Sequence, residues 1–282
     1  MATRREIFLQ LRDIASELYG EEEGRQIAEM IVLAKGAITR NELLIESGKE
    51  LEIKDKDIDA IIAQLREWRP VQYIIGVASF DDMDLEVGEG VLIPRPETEE
   101  LVEWIASEAQ QNAKIVDVCT GSGCIAIALR RRLSDSRVWG IDISKEALNI
   151  ACRNAQKFAP SVEFIEGDAL GDFSQLVDGK VDVVVSNPPY IPISHRGLMR
   201  PNVTEHEPSI ALFVDDNDPL LFYRSIARRA RTMLRKGGKL YFEIYENFAD
   251  EMRVMLSSEG YSNVVVREDF RGKQRMVCAE NN

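Results

Sequence analysis

Apolar residues near the start of the chain recur every three to four positions. Ile7, Leu11, Ile14 and Leu18 form one stripe, and Ile58, Ile61, Ile62 and Leu65 form another. That spacing predicts amphipathic helices. Between the stripes, Glu21-Glu22-Glu23 opens a further segment, with acids where a helix dipole favours negative charge. Residues 1–70 thus predict a small all-helical domain. From Arg69 the period shortens. Residues 71–76 and 83–87 predict two short strands about a polar turn at Asp81-Asp82. Residues 71–93 therefore predict a β-hairpin linker. Pro94-Arg95-Pro96 ends it, and residues 97–111 follow as a helix with acids in its first turn.

Beyond Lys114, apolar strands alternate with helical stretches. Strands are predicted over 115–118, 138–142, 162–165 and 181–185, and helices over 125–133 and 147–158. Helices at 220–234 and 248–257 flank an extended run at 239–244. Residues 264–266 and 276–278 predict a closing antiparallel pair. Such alternation implies an α/β fold, a mostly parallel sheet with helices on both faces. This larger domain is predicted over 94–282.

Charge and composition narrow the chemistry. The 282 residues carry a formal net charge of −13, with 45% hydrophobic residues. A chain that holds nucleic acid stably usually presents a basic face. The acidic balance favours a protein or small-molecule substrate, and no stable nucleic-acid binding is expected. No apolar run approaches the roughly 20 residues that span a bilayer, so no membrane partner is expected. The N-terminus lacks the apolar core of a signal peptide. Cys119, Cys124, Cys152 and Cys278 form no Cys-x-x-Cys pair, and His195 and His206 are the only histidines. No metal site is expected, and reduced thiols suit a cytoplasmic protein.

The first predicted parallel strand runs into Asp117-Val118-Cys119-Thr120-Gly121-Ser122-Gly123. Gly121 and Gly123 permit a tight turn and close approach of a ligand to the backbone. The carboxyl end of that strand is the expected nucleotide site of an open α/β sheet. Asp142 ends the second strand, where an acid can take ribose hydroxyls, although capping the next helix is an equally simple role. Asp168 follows the third strand. Three acids thus converge on one crevice.

Ser186-Asn187-Pro188-Pro189-Tyr190 follows the fourth strand. Asn187 Oδ1 and the Pro188 carbonyl can each accept an N–H from a substrate NH₂ group, and Pro189 has no competing N–H. Two acceptors would aim a delocalised nitrogen lone pair and stabilise charge developing on it. Tyr190 can stack on the planar group. The tetrapeptide alone leaves an amide and a nucleic-acid base amine both open, and a binding regulator without turnover is a third reading.

The glycine loop resembles the first motif of class I (Rossmann-like) S-adenosylmethionine methyltransferases. Cys119 stands where glycine is usual there. The resemblance implies S-adenosyl-L-methionine as cofactor. It implies cofactor contacts at Asp117, Cys119, Thr120, Gly121, Ser122, Gly123, Asp142, Asp168, Ala169 and Asn187. Ala169 occupies a place where larger side chains can pack on adenine. The tetrapeptide, the run from Gly90 to Glu99 and the tail from Asp269 to Arg275 together resemble the HemK/PrmC family. These are the peptide chain release factor glutamine N5-methyltransferases. The resemblance covers nearly the whole chain. It implies that Asn187, Pro188, Pro189 and Tyr190 bind the glutamine of a Gly-Gly-Gln motif in bacterial release factors. Asn187, Pro188 and Tyr190 would be catalytic, and the helical domain would help to recognise the release factor. After Glu243-Ile244 the family often continues with glycine, where this chain has Tyr245-Glu246. Arg95 and Glu97 read either as an ion pair at a helix start or as support for the cofactor-side loop. His195 and His206 read as solvated residues of a polar segment reaching about Asp218, long enough for a lid.

Overall fold

The computed structural model describes residues 2–282, so Met1 of the expected helical domain lies outside them. The chain forms two compact units. One runs to Val77 and includes Met199–His206; the other comprises Ala78–Leu198 and Glu207–Asn282.

The first unit is built from α1 (Arg4–Tyr19), α2 (Glu21–Gly36), α3 (Arg40–Ile45), α4 (Asp55–Arg66) and α5 (Val71–Ile75). Two helices begin in reciprocal caps. Thr3 accepts from the Glu6 backbone while Glu6 accepts from the Thr3 N–H at 2.8 Å, and Thr39 and Glu42 repeat the arrangement. Each cap satisfies two orphan helix donors. α2 has no side-chain cap, and Glu21, Glu22 and Glu23 face its positive end instead. Ile7, Leu11, Ile31, Ile61 and Leu65 close the core of this unit.

The strand expected at 71–76 is the short helix α5. Pro70, at φ −54, sets its start, and Gly76, at φ 86, ends it in the left-handed region. Val71 and Ile74 then face one way and join the helical core. The hairpin itself pairs β1 (Val77–Phe80) with β2 (Met83–Glu86). Asp81 and Asp82, at φ 49 and 57, make the tight turn between them. Phe80, Met83 and Leu85 are buried in the core of the second unit.

The second unit continues with α6 (Pro96–Glu108), β3 (Lys114–Val118), α7 (Cys124–Arg132), β4 (Arg137–Asp142), α8 (Lys145–Phe158), β5 (Glu163–Glu166) and β6 (Val181–Ser186). After β6 the chain forms β7 (Ile191–Pro192), α9 (Pro201–Thr204), α10 (Ser209–Leu212) and β8 (Phe213–Val214). It ends with α11 (Leu221–Met233), β9 (Leu234–Glu243), α12 (Ala249–Ser258), β10 (Tyr261–Glu268) and β11 (Gln274–Asn281). The segment expected as a polar loop up to Asp218 therefore contains short helices, and β7 and β8 pair in parallel within it.

Seven strands form one sheet in the order β10-β11-β9-β6-β3-β4-β5. β9, β6, β3, β4 and β5 run parallel, and β11 and β10 are antiparallel additions. The central strands are apolar along their length because helices cover both faces; Val116, Val118, Ile141, Val184 and Val185 are all buried. From β3 the chain moves outward through β4 to β5, then returns to place β6 on the other side of β3. The carboxyl ends of β3 and β6 flank that reversal, where open α/β sheets bind ligands.

Candidate active site

The loop after β3 is held from two sides. Asp142, at the end of β4, accepts from Gly121 N–H at 2.8 Å and from Ser144 N–H at 2.9 Å. Ser144 then caps α8 through Ala147 N–H. Ser144, not Asp142, is therefore the helix cap, and Asp142 fixes the turn that leads into it. Each carboxylate oxygen accepts once here and keeps a second lone pair, and Asp142 lines a cleft. Burial raises its carboxyl above the usual range, against the pull of those backbone donors.

Asp117 lies wholly inside the fold beneath the loop. Its Oδ2 accepts from Thr120 Oγ1 at 2.5 Å, while Oδ1 has no hydrogen-bond partner among the described residues. Burial pushes this carboxyl up to about 7, opposed by the Thr120 hydroxyl and the Ala126 amide. Such an acid awaits a donor or a cation. Gly121, at φ 56, is open where a Cβ would stand and lines the cleft. Gly123 has a different reason to be glycine. At φ 80, its Cβ would lie 2.9 Å from the Phe164 ring, so it serves helix-to-sheet packing.

The cleft is apolar at its edges. Ile143, Leu170 and Ile210 are 48%, 41% and 60% exposed, and all three line it. Three large aliphatic side chains left in water around one crevice suit a flat, weakly polar ligand face. Leu92 and Pro208 form a further wall. Glu207, almost fully buried, holds the segments that carry that wall: it accepts from Ile93 N–H at 3.0 Å and from Arg95 at 2.6 Å. Arg95 thus pairs with Glu207, not Glu97, whose nearest cation is Arg271 at 3.8 Å. The sequence offers no cue to a partner 112 residues away.

Asn187 and Pro189 line the same cleft at the end of β6. Ser186 fixes the strand end by donating to the Val118 carbonyl at 2.5 Å. Asn187 Nδ2 lies 3.5 Å from Thr98 Oγ1. Its Oδ1 is then the end of the amide available to a ligand. Pro188 is buried and Tyr190 is half-buried, and neither lines the cleft. The Tyr190 hydroxyl donates to Glu243 at 3.1 Å, and its ring stacks on Tyr245 at 6.1 Å. Burial and the Glu243 charge hold the phenol protonated well above its ordinary value. Burial likewise raises the Glu243 carboxyl, while Thr98, Tyr190 and Arg275 oppose that shift.

The structure therefore gathers Cys119, Gly121, Asp142, Asp168, Ala169, Asn187 and Pro189 around one cleft. Asp117, Thr120, Ser122, Gly123, Pro188 and Tyr190 lie outside its lining. Cys119 adopts φ 62, a left-handed conformation that non-glycine residues rarely take. Burial and the nearby Asp142 raise its thiol far above its usual value, which disfavours the thiolate. The histidines are not simply solvated. His195 Nδ1 is 2.9 Å from the Tyr245 hydroxyl, and His206 Nε2 is 2.7 Å from the Glu67 carbonyl. Ile143, Leu170, Ile210 and Glu207 were not singled out from sequence. An aliphatic residue directly after a strand-end acid, as in Asp142-Ile143, was the available signal. Among the described residues no group of three or more His, Cys, Asp or Glu side chains is placed to hold a metal ion. Among those residues no helix is long and apolar enough to cross a membrane.

Known proteins give this geometry a context. A family model described as a methyltransferase domain matches residues 109–276. The release factor glutamine methyltransferase of Bacteroides thetaiotaomicron is 39% identical over 273 residues, covering 95% of this chain and 97% of that protein. Its namesake from Streptococcus pneumoniae is 44% identical over 226 residues, 79% of each chain. A methyltransferase structure from Pyrococcus furiosus superposes with a TM-score of 0.55 at 17% identity, over 79% of this chain and 98% of that one. That likeness establishes the Rossmann-like fold.

Proposed function

Since the chain belongs to the family of release factor glutamine methyltransferases, we propose that it methylates the side-chain amide nitrogen, N5, of the glutamine in the Gly-Gly-Gln motif of bacterial release factors. S-adenosyl-L-methionine supplies the methyl on a sulfonium, already an activated leaving group. The observation that carries the reading is the position of Asn187: together with the glycine loop it lines a cleft at the sheet's reversal, and its Oδ1 is free to accept.

The residues suit the cofactor. Gly121 lets a ligand approach the loop backbone, Asp142 retains acceptor capacity for ribose hydroxyls, and Ile143 and Leu170 offer apolar faces to adenine. The unpartnered Asp117 oxygen is left for the amino acid part, whose ammonium would favour the ionised acid over the burial that raises it. On the substrate side, Asn187 Oδ1 and the Pro188 carbonyl accept the two amide N–H groups and hold the nitrogen in line. Alignment of this kind contributes roughly 7 kcal/mol or more where reactants are well placed. The proton can leave after transfer, so no strong base is needed. The helical unit is assigned to release factor recognition, and the site of action is the cytoplasm, where release factors work.

Incubation with labelled cofactor and a bacterial release factor, followed by peptide mass spectrometry, tests the reading. One methyl group on the Gly-Gly-Gln glutamine is expected. Label confined to DNA or RNA, or none at all, overturns it. Asn187→Ala should lower kcat by about 100-fold, the usual cost of losing one well-aimed transition-state hydrogen bond.

A further inference from the structure

We propose that Glu243, acting through Thr98, is the positioning residue that decides which end of the Asn187 amide faces the substrate. The inference rests on the methyl-transfer reading above and deepens it. Three elements meet here: Thr98 in α6, Glu243 at the end of β9 and Asn187 just after β6. Both acceptors of the Glu243 carboxylate are engaged. Oε2 accepts from Thr98 Oγ1 at 2.6 Å, and Oε1 accepts from the Tyr190 hydroxyl at 3.1 Å.

A hydroxyl has one proton to give, and Glu243 takes protons from both Thr98 and Tyr190, with Arg275 opposing the burial that raises its carboxyl, so it stands here as an acceptor. The Thr98 proton is committed to Glu243, so Thr98 offers Asn187 a lone pair and nothing else. The NH₂ end of the Asn187 amide is the only end that can use it, and Nδ2 lies 3.5 Å away. Packing cannot make that choice, because the two ends of an amide are nearly the same size and shape. With the amide reversed, Asn187 would point NH₂ at a substrate NH₂, donor against donor. The relay therefore turns Oδ1 toward the cleft. The same carboxylate tethers Tyr190, so one side chain sets both ends of the Asn-Pro-Pro-Tyr run. Thr98 and Glu243 are 2% and 1% exposed, so water is not at hand to replace either partner.

Two isosteric changes test this in the intact chain. Glu243→Gln can donate to Thr98, which frees the Thr98 proton for Asn187 Oδ1 and reverses the chain. Thr98→Val keeps the shape and removes the relay. Each should lower kcat for a release factor by about 100-fold. KM and the cofactor Kd should stay within about threefold, the pattern of a transition-state effect. Thr98→Ser should regain most of the rate. The side-chain ¹⁵N amide signals of Asn187, identified by their loss in Asn187→Ala, should shift in Thr98→Val and return in Thr98→Ser. That readout needs no turnover. A wild-type chain that leaves release factors unmethylated therefore refutes the functional reading, while the amide signals still judge the relay. If Glu243→Gln does not fold, the two Thr98 variants decide. Near wild-type kcat in Thr98→Val, or a loss matched by weaker cofactor binding and not restored by Thr98→Ser, overturns the proposal.

Discussion

Cys119 occupies the left-handed region at φ 62 on the wall of the cleft. That conformation costs a residue with a Cβ about 1–2 kcal/mol. Glycine would relieve it but add about 0.4–1 kcal/mol of unfolded-chain freedom. Cys119→Gly should therefore stabilise by roughly 0.5–1 kcal/mol, raising Tm by about 2–3 °C in a thermal melt. Asp117 gives a pH signature. Its buried carboxyl keeps its proton up to about 7, whereas an unfolded aspartate releases it near 3.9. Across that window the folded state binds the extra proton, so this residue's contribution to stability is full below about 4 and is lost as pH rises through 7. Asp117→Asn should flatten that part of the profile in melts of the cofactor-free protein between pH 5 and 8. The cofactor's ammonium favours the ionised acid, so wild-type affinity should weaken on acidification through 7, as calorimetry can measure. Gly121, Asp142 and Asn187 are legible as cleft residues because their chemistry is local, whereas Gly123 answers to the Phe164 ring packed against it. Thr98, Glu243 and Glu207 are not legible, because each acts through a partner far along the chain.

Elements were legible where one period dominated. β3, β4 and β6 are apolar runs that the buried centre of a parallel sheet demands. The short α5 is not legible in the sequence, since five residues show no helical period and Val71, Ile74 and Ile75 favour strands locally; Pro70 and Gly76 decide it. β10 and β11 extend well beyond the expected cores, because antiparallel pairing carries the ladder past the apolar residues. β9 begins at Leu234, five residues before the apolar run, and its pairing with β6 shifts register near Val181. The turn at Asp81-Asp82 was signalled correctly by its polar pair. Asp81 is bound to Arg132 and so is constrained, but Asp82 is exposed at φ 57. Asp82→Gly should leave folding intact and slow amide exchange in β1 and β2, since a type I′ turn favours glycine there. Faster exchange would count against this account of the turn.

At the scale of the whole molecule, the alternation of strands and helices disclosed an open α/β sheet, and the sheet's reversal located the cleft. The two-unit plan was less visible, because Met199–His206 lies far in sequence from the helices it joins. Arg200 pairs with Glu23 at 2.7 Å, and His206 approaches the Glu67 carbonyl. The chain consequently crosses between units at Val77/Ala78, Leu198/Met199 and His206/Glu207. Modularity, and with it inheritance, is constrained by that threading. A recombination joint near Val77 exchanges the helices but leaves residues 199–206 from the other parent. Chimeras between this chain and a relative should melt lower when only the N-terminal part is exchanged than when residues 199–206 travel with it. The helical unit is thus inherited as two separated stretches of one gene, and a shuffled copy that carries only the first is left with a seam cut for another pattern.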